Sequence, residues 1–317
     1  MLIGVTGANG FVGKAICLDL LNRGFKVRAF LRASSRLGLP SSERLECFFI
    51  SNFLDSTAWR SGLNGVNVLI HCAAKTSEGN SDDSGEELEF KNTNVHVTEL
   101  IASEASACGV KRFIFLSSIK VHGECNQHNQ PFRAIDSPQP VSLYAKTKWE
   151  AEKSLLGLCN HSSMELGIIR SPAVYGPNIG GNIGKLVRLC DTAIPLPVAN
   201  FASKRSFISI DNLVSFIFTC VSKPLPRKIW LISDNMDLST AEFVSKIRQG
   251  FDRPLRLFII PKQIWRVSGY MAKNFKQIKR LNAPLQADVT ASVDYLDWSP
   301  VISTDAAIEQ MLSIHRK

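Results

Sequence analysis

Three glycines near the start of the chain restrict its fold more than any other feature. Gly7, Gly10 and Gly13 directly follow the apolar segment Leu2–Thr6 and precede Lys14–Leu21, where apolar residues recur at helical spacing. In a strand-turn-helix setting, glycines permit a tight turn and a close approach of the backbone to a pyrophosphate at the helix N-terminus. The pattern predicts a dinucleotide-binding loop. Its expected contact residues are Gly7, Asn9, Gly10, Phe11, Val12 and Gly13.

Apolar segments typical of strands alternate with segments of helical periodicity along the first half of the chain. The predicted strands are Leu2–Thr6, Lys26–Leu31, Glu46–Ile50, Val66–His71, Arg112–Leu116 and Gly167–Arg170, and the further predicted helices are Leu88–Ala107 and Tyr144–Cys159. Such alternation implies right-handed crossovers and a parallel sheet that is covered on both faces. We therefore predict an α/β protein with a doubly wound parallel-sheet Rossmann fold.

The local composition changes after Arg170, where prolines and glycines become frequent. These residues are typical of loops. We place a dinucleotide-binding domain at 1–174 and a smaller, loop-rich C-terminal substrate domain at 175–317. An apolar segment at Lys228–Ser233 is predicted to return as a strand to the first sheet.

Composition excludes several classes of protein. With 45% hydrophobic and 21% charged residues, the 317-residue chain is neither disordered nor collagen-like, and it has no apolar run of about 18 residues that could span a membrane. The eight cysteines form no C-x-x-C pair and no histidine stands at zinc-finger spacing, so no metal site is predicted. Unpaired cysteines and the lack of a basic leader suggest a cytoplasmic protein.

The formal net charge of +9 favours anionic partners. Much of the excess lies in residues 253–280, which contain eight basic residues and no acidic one. One interpretation is a helix with a solvated basic face and an apolar side packed inward. The alternative is a weak peripheral contact with a membrane surface. No nucleic-acid partner is expected.

The residue after the second predicted strand bears on which dinucleotide is bound. An acidic residue there would bind the adenosine ribose hydroxyls and exclude a 2′-phosphate. Arg32 occupies this place, with no carboxylate nearby, and a guanidinium suits a phosphate dianion. We favour NADP(H), while NAD(H) remains possible if Arg32 stacks on adenine in either cofactor.

Candidate catalytic residues follow the fifth predicted strand. Ser118 lies at its C-terminal end, where open α/β sheets place their ligands. Tyr144 and Lys148 stand four residues apart early in a predicted helix and therefore on one face. An ammonium and an oxidised nicotinamide would stabilise the phenolate, whose reference pKa is about 10. Tyr144 is thus the candidate acid or base, and Ser118 could hydrogen-bond the substrate oxygen.

Several motifs together resemble a known family. They are the glycine loop, Asn94-Val95-His96-Val97-Thr98, Ser118 five residues before Gly123, the Tyr144/Lys148 pair and Val174-Tyr175-Gly176-Pro177. This combination, spread over nearly the whole chain, resembles the extended short-chain dehydrogenases/reductases, the nucleotide-sugar epimerase/dehydratase group.

The resemblance implies roles for individual residues. Ser118, Tyr144 and Lys148 match the family's catalytic trio, and Arg205 matches the arginine that grips the nucleotide diphosphate. Further cofactor contacts are implied at Asn52, Phe53, Ala73, Ala74, Lys75, Asn94, Tyr144, Lys148, Pro172 and Val174. Substrate contacts are implied at Lys75, Ser118, His122, Asn178, Asn182 and Arg205. The resemblance also suggests a homodimer joined through the helices Leu88–Ala107 and Tyr144–Cys159.

The resemblance leaves three functions open and disfavours a fourth. The disfavoured function is dehydration, because Ile119-Lys120 replaces the Asp-Glu pair of the family's dehydratases. The segments 118–124, 149–152 and 195–206 resemble those of bacterial UDP-4-keto-6-deoxy-N-acetylhexosamine 4-reductases. This resemblance, together with Arg32, leads us to predict reduction of a C4 ketone of a UDP-sugar for surface-polysaccharide synthesis. The alternatives are UDP-hexose 4-epimerisation through the same residues and a non-catalytic dinucleotide-sensing protein.

Overall fold

A computed structural model of the chain describes residues 1–33, 35, 37–76, 84–127, 130–225, 228–259 and 282–314. The strands within these ranges are β1 Leu2–Thr6, β2 Lys26–Arg32, β3 Leu45–Ile50, β4 Val68–His71, β5 Arg112–Ser118, β6 Glu165–Ser171, β7 Ala173–Tyr175, β8 Lys204–Arg205, β9 Phe207–Ser209, β10 Ile229–Leu231 and β11 Leu238–Ser239. The helices are α1 Phe11–Asn22, α2 Ser56–Leu63, α3 Ser84–Lys91, α4 Val97–Ala107, α5 Leu143–Cys159, α6 Gly181–Cys190, α7 Ile210–Ser222, α8 Thr240–Gly250, α9 Thr290–Leu296 and α10 Thr304–Ser313.

Seven parallel strands form the central sheet, in the order β3-β2-β1-β4-β5-β6-β10. Helices α1 and α7 pack on one face, and α2, α4 and α5 pack on the other. The order reverses between β1 and β4, and the crevice at such a reversal is where open α/β sheets bind ligands. The predicted doubly wound Rossmann fold is confirmed.

The helix predicted over Leu88–Ala107 is longer than expected and contains a π-helical turn. It begins with α3, continues through the π-helical residues Asn92–His96 and ends with α4. Such a turn is rare and is frequently found at functional sites. Here it carries Asn94, one of the predicted cofactor residues.

Residues beyond 175 contribute to both parts of the molecule. Strand β10, the core of the predicted returning strand, pairs in parallel with β6. Helix α7, which was not predicted, packs against α1 over the large sheet. A separate hydrophobic core forms between α6, α8 and α10. The second half of the chain therefore supplies β10 and α7 to the first unit, and Leu296 at the end of α9 packs into the same core.

A buried polar cluster joins the two parts. The carboxylate of Asp234 accepts hydrogen bonds from Tyr175 Oη at 2.6 Å, Asn212 Nδ2 at 2.7 Å and the backbone amide of Ser209 at 2.9 Å. Asn212 Oδ1 in turn accepts from the backbone amides of Val301, at 2.8 Å, and Ile302, at 3.0 Å. Because buried polar groups need partners, these bonds fix β7, α7 and the segment before α10 relative to one another.

No helix in the described ranges is long and apolar enough to cross a membrane. Most of the basic segment, residues 260–280, lies outside the described residues, so both interpretations of it remain predictions.

Candidate active site

The glycine loop lies between β1 and α1, against the end of β4. Gly7 has a left-handed φ of 65°, and a Cβ there would lie only 2.8 Å from the Ala73 nitrogen. A Cβ on Gly13 would lie 2.2 Å from the Gly7 oxygen. Gly10 precedes α1 without any side-chain cap, and its amide bonds to the Gly7 carbonyl at 2.9 Å. The loop fits a dinucleotide pyrophosphate, because a glycine precedes α1 and no side chain caps the positive N-terminus of this helix.

The residues predicted near the adenosine come together at the ends of β2 and β3. The exposed Arg32 guanidinium lies 5.6 Å from the centroid of the Phe53 ring, which stacks on Trp59. The preceding Asn52 is exposed, and its side-chain oxygen accepts the Leu54 amide at 3.0 Å. Arg32 is therefore free to present its charge to solvent or to a ligand at this edge of the sheet.

Asn94 holds the loop after β4 against α5. Its side-chain oxygen accepts the Lys75 amide at 2.8 Å, and its nitrogen donates to the Lys75 carbonyl at 3.0 Å and to Thr147 Oγ1 at 3.1 Å. Thr147 immediately precedes Lys148, and Ala73 and Ala74 belong to the same loop as Lys75. The π-helical turn thus links two predicted cofactor segments to the helix that carries Tyr144.

A buried hydrogen-bond relay beneath this loop was not predicted from the sequence. His71 Nδ1 lies 2.7 Å from Thr6 Oγ1, and His71 Nε2 lies 2.9 Å from Thr98 Oγ1. Thr98 Oγ1 bonds onward to the Asn94 carbonyl at 2.8 Å. Complete burial and the nearby Lys148 charge lower the pKa of His71 to about 3, so its ring is neutral. A histidine ending the otherwise apolar sequence of β4 was the available signal.

The three predicted catalytic residues lie where β5 meets α5. Lys148 Nζ donates to the Leu116 carbonyl at 2.8 Å and stands 4.3 Å from the Phe115 ring centroid. Tyr144 lies one helical turn earlier, and Ser118 is two residues beyond Leu116. The Ser118 hydroxyl caps a 3₁₀ turn by accepting the Lys120 amide at 3.3 Å. The structure thus places the Ser118 turn and the Tyr144/Lys148 face around one strand end.

Burial acts on both titratable groups of this trio. It raises the pKa of Tyr144 to about 12 and lowers the pKa of Lys148 to about 8. Both shifts favour the uncharged form, as desolvation does. The phenol can therefore become an efficient base only when a neighbouring positive charge stabilises its anion.

The other predicted contacts are spread more widely. His122 is buried and stacks on Phe132, with ring centroids 5.1 Å apart. Arg205 Nη1 donates to the Ala283 carbonyl at 2.6 Å, on the segment that runs beside β8. Asn178 and Asn182 are exposed, in the turn before α6 and in its first turn.

The remaining cofactor candidates lie at the start of β7 and around the glycine loop. Pro172 is buried between β6 and β7, and Val174 packs against the core that contains α1. A Cβ on Gly176 would lie 3.5 Å from the ring of Phe11, so the turn after β7 reaches the first residue of α1. The first turn of α1 therefore adjoins the segment that follows β6. Lys75 lies elsewhere, in the loop after β4, and forms an ion pair with Glu89 of α3.

A sequence profile described as the NAD dependent epimerase/dehydratase family matches residues 3–232. The chain belongs to this family. The predicted membership of the extended epimerase/dehydratase group is thereby confirmed, and with it the class of enzyme. The family description specifies NAD, and a preference for NADP(H) stays a prediction.

Individual relatives cover almost the whole chain. The chain is 34% identical over 298 residues to UDP-glucose 4-epimerase from Vibrio cholerae. This alignment covers 93% of this chain and 90% of the relative. It is 24% identical over 267 residues to an undecaprenol-linked N-acetyl-alpha-D-glucosaminyl-diphosphate 4-epimerase from Escherichia coli, which spans 83% of this chain and 76% of that relative.

Solved structures share the fold. UDP-glucose 4-epimerase from Thermotoga maritima, solved with UDP-glucose, matches with a TM-score of 0.79 and 19% identity, covering 100% of this chain and 99% of that one. UDP-glucuronic acid 4-epimerase from Bacillus cereus, solved with NAD, matches with a TM-score of 0.78 at 19% identity and the same coverage. At these identities the likeness supports the fold alone.

Proposed function

We propose that the protein is a nicotinamide-dependent 4-epimerase of a UDP-sugar. The observation that carries the proposal is the hydrogen bond between Lys148 Nζ and the Leu116 carbonyl, which sets the ammonium beside the strand end bearing Ser118. Tyr144 lies on the same helical face, one turn away. The near-complete alignment with the Vibrio cholerae UDP-glucose 4-epimerase supports this choice of reaction.

Each residue of the trio then has a defined task. A nicotinamide cofactor held by the glycine loop and by Lys148 would supply the hydride acceptor and donor for C4 of the sugar. Tyr144 Oη removes the proton of the C4 hydroxyl and later returns a proton to the carbonyl oxygen. Lys148 holds positive charge near Tyr144 and favours its anion. Ser118 Oγ donates a hydrogen bond to the C4 oxygen and orients it.

The other predicted residues would hold the two ligands. We assign the cofactor to Gly7, Asn9, Gly10, Phe11, Val12, Gly13, Arg32, Asn52, Phe53, Ala73, Ala74, Lys75, Asn94, Pro172 and Val174, in addition to Tyr144 and Lys148. We assign the UDP-sugar to Lys75, Ser118, His122, Asn178, Asn182 and Arg205. In this proposal the sugar nucleotide lies between the large sheet and the smaller C-terminal unit.

One observation favours a second candidate, the reduction of a 4-keto UDP-sugar. Arg32 is exposed at the end of β2, where a guanidinium would bind the 2′-phosphate of NADPH. A reductase must exchange its cofactor after each turnover, whereas an epimerase reuses the same one. The two candidates therefore differ in cofactor retention and in the source of the C4 hydrogen.

Isotope transfer tests the proposal. The protein is incubated with UDP-glucose or UDP-N-acetylglucosamine carrying deuterium at C4, and the product is analysed by NMR. An epimerase yields the C4 epimer with the label retained, and protein denaturation releases NAD. Deuterium incorporation from labelled NADPH into a 4-keto UDP-sugar, without epimerisation, would instead establish the reductase. Tyr144→Phe serves as the inactive control in both assays.

We also propose that α3, α4 and α5 form the interface of a homodimer. Leu88 on α3 is 59% exposed, although it is a large apolar residue. Analytical ultracentrifugation of the wild type and of Leu88→Glu tests this proposal. A monomeric wild type would contradict it.

A further inference from the structure

An ion pair between α5 and β6 is removed from solvent beside the candidate active site. Glu152 and Arg170 are 0% and 1% exposed. Arg170 Nη2 donates to Glu152 Oε2 at 2.5 Å, and Arg170 Nε lies 3.1 Å from both carboxylate oxygens. Removing both charges from water is unfavourable, and apolar side chains often replace such a pair without loss of stability. Stability alone therefore does not account for it.

Glu152 ties α5 to the strand end that bears Ser118. Ser117 Oγ donates to Glu152 Oε1 at 2.5 Å, and Ser117 directly precedes Ser118. Glu152 also follows Lys148 by one helical turn, and Lys148 bonds to the carbonyl of Leu116. Two successive turns of α5 thus contact two successive residues of β5.

Arg170 extends the same chain of contacts to the turn after β5. Its Cα pairs with that of Ser117 in the register of β5 and β6. Arg170 Nη1 lies 2.9 Å from His122 Nε2, and because a guanidinium only donates, this nitrogen of His122 accepts. His122 ends the 3₁₀ turn that Ser118 begins. The Glu152 and Arg170 pair therefore touches both ends of the segment that presents the Ser118 hydroxyl.

The protonation state of His122 follows from this contact. Burial, together with the Arg170 charge, lowers the pKa of His122 to about 4, so the ring is neutral with its proton on Nδ1. His122 Nδ1 finds no hydrogen-bond acceptor among the described residues. Arg170 thus also fixes which nitrogen of His122 is the donor.

We propose that Glu152 and Arg170 are positioning residues, which set the placement of the Ser118 hydroxyl relative to Tyr144 and Lys148. This inference rests on the proposed function. Neither residue needs to contact substrate in this role. Displacement of reacting groups by about 1 Å can cost about a hundredfold in rate, so a rigid buried pair at this place affects catalysis through geometry.

The chain contains a matched control for this pair. Arg112 of β5 and Glu165 of β6 form a second Arg-Glu pair, at the ends of these strands opposite to Ser117 and Arg170, with 2.6 Å between Arg112 Nε and Glu165 Oε2. Glu165→Gln removes a carboxylate from an Arg-Glu pair that also includes a residue of β6, without touching the Ser118 turn. Its carboxylate is more exposed than that of Glu152, so thermal unfolding of both variants is measured alongside activity.

The test compares wild type, Glu152→Gln, Glu152→Asp and Glu165→Gln in the 4-epimerase assay, with cofactor content and thermal unfolding measured for each. We expect Glu152→Gln to lower kcat about tenfold to a hundredfold, with KM and cofactor content within about threefold of wild type. Glu152→Asp, which can still pair with Arg170, should recover part of kcat. Glu165→Gln should keep the wild-type kcat.

A wild-type kcat in folded Glu152→Gln overturns the positioning role, whatever its unfolding temperature. If Glu152→Gln does not fold, Ser117→Ala decides, because it removes only the hydroxyl that joins β5 to Glu152. About a tenfold lower kcat at unchanged KM supports the role, and a wild-type kcat overturns it. A wild type without epimerase turnover overturns the proposed function and this inference together. An active wild type whose Glu152 and Ser117 variants keep the wild-type kcat overturns this inference alone.

Discussion

The ammonium nitrogen of Lys148 lies 2.8 Å from the carbonyl oxygen of Leu116, in a place that leaves the lysine only 2% exposed. A lysine in such surroundings is costly to keep charged, because desolvation disfavours the cation. A methionine could fill the same space without that cost. A catalytic role, and not stability, therefore explains a lysine at position 148. Its burial also makes the stability of the protein depend measurably on pH.

Replacing Lys148 by methionine should stabilise the protein most at neutral pH. The lysine has a pKa of about 8 in the folded chain and 10.5 as its reference value. Between these pH values the unfolded chain binds the additional proton, so the free energy of unfolding of wild type rises with pH by up to about 3 kcal/mol. Lys148→Met lacks this rise. Urea unfolding from pH 7 to pH 10.5 should show its advantage shrinking, and a constant difference would contradict the prediction.

Removing the Tyr144 hydroxyl should abolish proton transfer without unfolding the protein. We expect Tyr144→Phe to lower kcat by about a hundredfold to ten-thousandfold, the usual contribution of a positioned acid or base. Cofactor binding should stay near that of wild type. Tyr295→Phe, on the exposed face of α9, is the matched control and should keep full activity. Equal rates for the two variants would exclude Tyr144 as the acid-base group.

The charge of Arg32 should affect one cofactor more than the other. If Arg32 binds the 2′-phosphate, Arg32→Gln loses a charge-assisted hydrogen bond of about 1.5 to 3 kcal/mol, and the affinity for NADPH falls about tenfold or more. The affinity for NADH should change little. Nicotinamide fluorescence measures both constants, with Arg23→Gln, an exposed arginine paired with Asp19, as the control. Parallel losses for both cofactors would instead place Arg32 beside adenine.

Two glycines should respond to alanine in opposite directions. Gly13→Ala would bring a Cβ within 2.2 Å of the Gly7 oxygen, so the loop must shift. We expect at least a tenfold loss of affinity for both cofactors and lower stability. A Cβ on Gly157 in α5 meets no atom within 4 Å, so Gly157→Ala should stabilise the chain by about 0.5 to 1 kcal/mol. Calorimetry and cofactor titration check both expectations.

Local periodicity was enough to predict most of the central sheet. Strands such as β1 and β5 are continuous apolar runs because both faces of a parallel sheet are covered. Helix α7 escaped prediction because its sequence is apolar almost all round, which periodicity does not distinguish from a buried strand. Its start was nevertheless signalled by Ser209, which caps it, and by Asp211 in its first turn.

Some parts of the candidate site could likewise be predicted from local sequence, and others could not. Tyr144 and Lys148 are neighbours on one helix, so their spacing predicted that they share a face. The contact between Glu152 and Arg170 joins residues 18 positions apart and exists only because β6 lies beside β5 and α5 crosses both. His71 likewise reaches Thr6 across 65 positions. Contacts of this kind depend on the assembled sheet, which no local pattern specifies.

The hydrogen bonds around Asp234 and Asn212 have a consequence for how this chain can be divided or recombined. A fragment that ends at residue 174 would lack α7, leaving the apolar surface of α1 without its cover. Exchanging the C-terminal half with that of a relative would bring in a foreign α7, β10 and segment 301–302 together, each already fitted to other neighbours. Sugar specificity in this architecture is therefore better altered by point substitutions in loops than by exchanging the whole C-terminal half. For the same reason, we expect the two halves of the chain to evolve together, not to be exchanged separately between relatives.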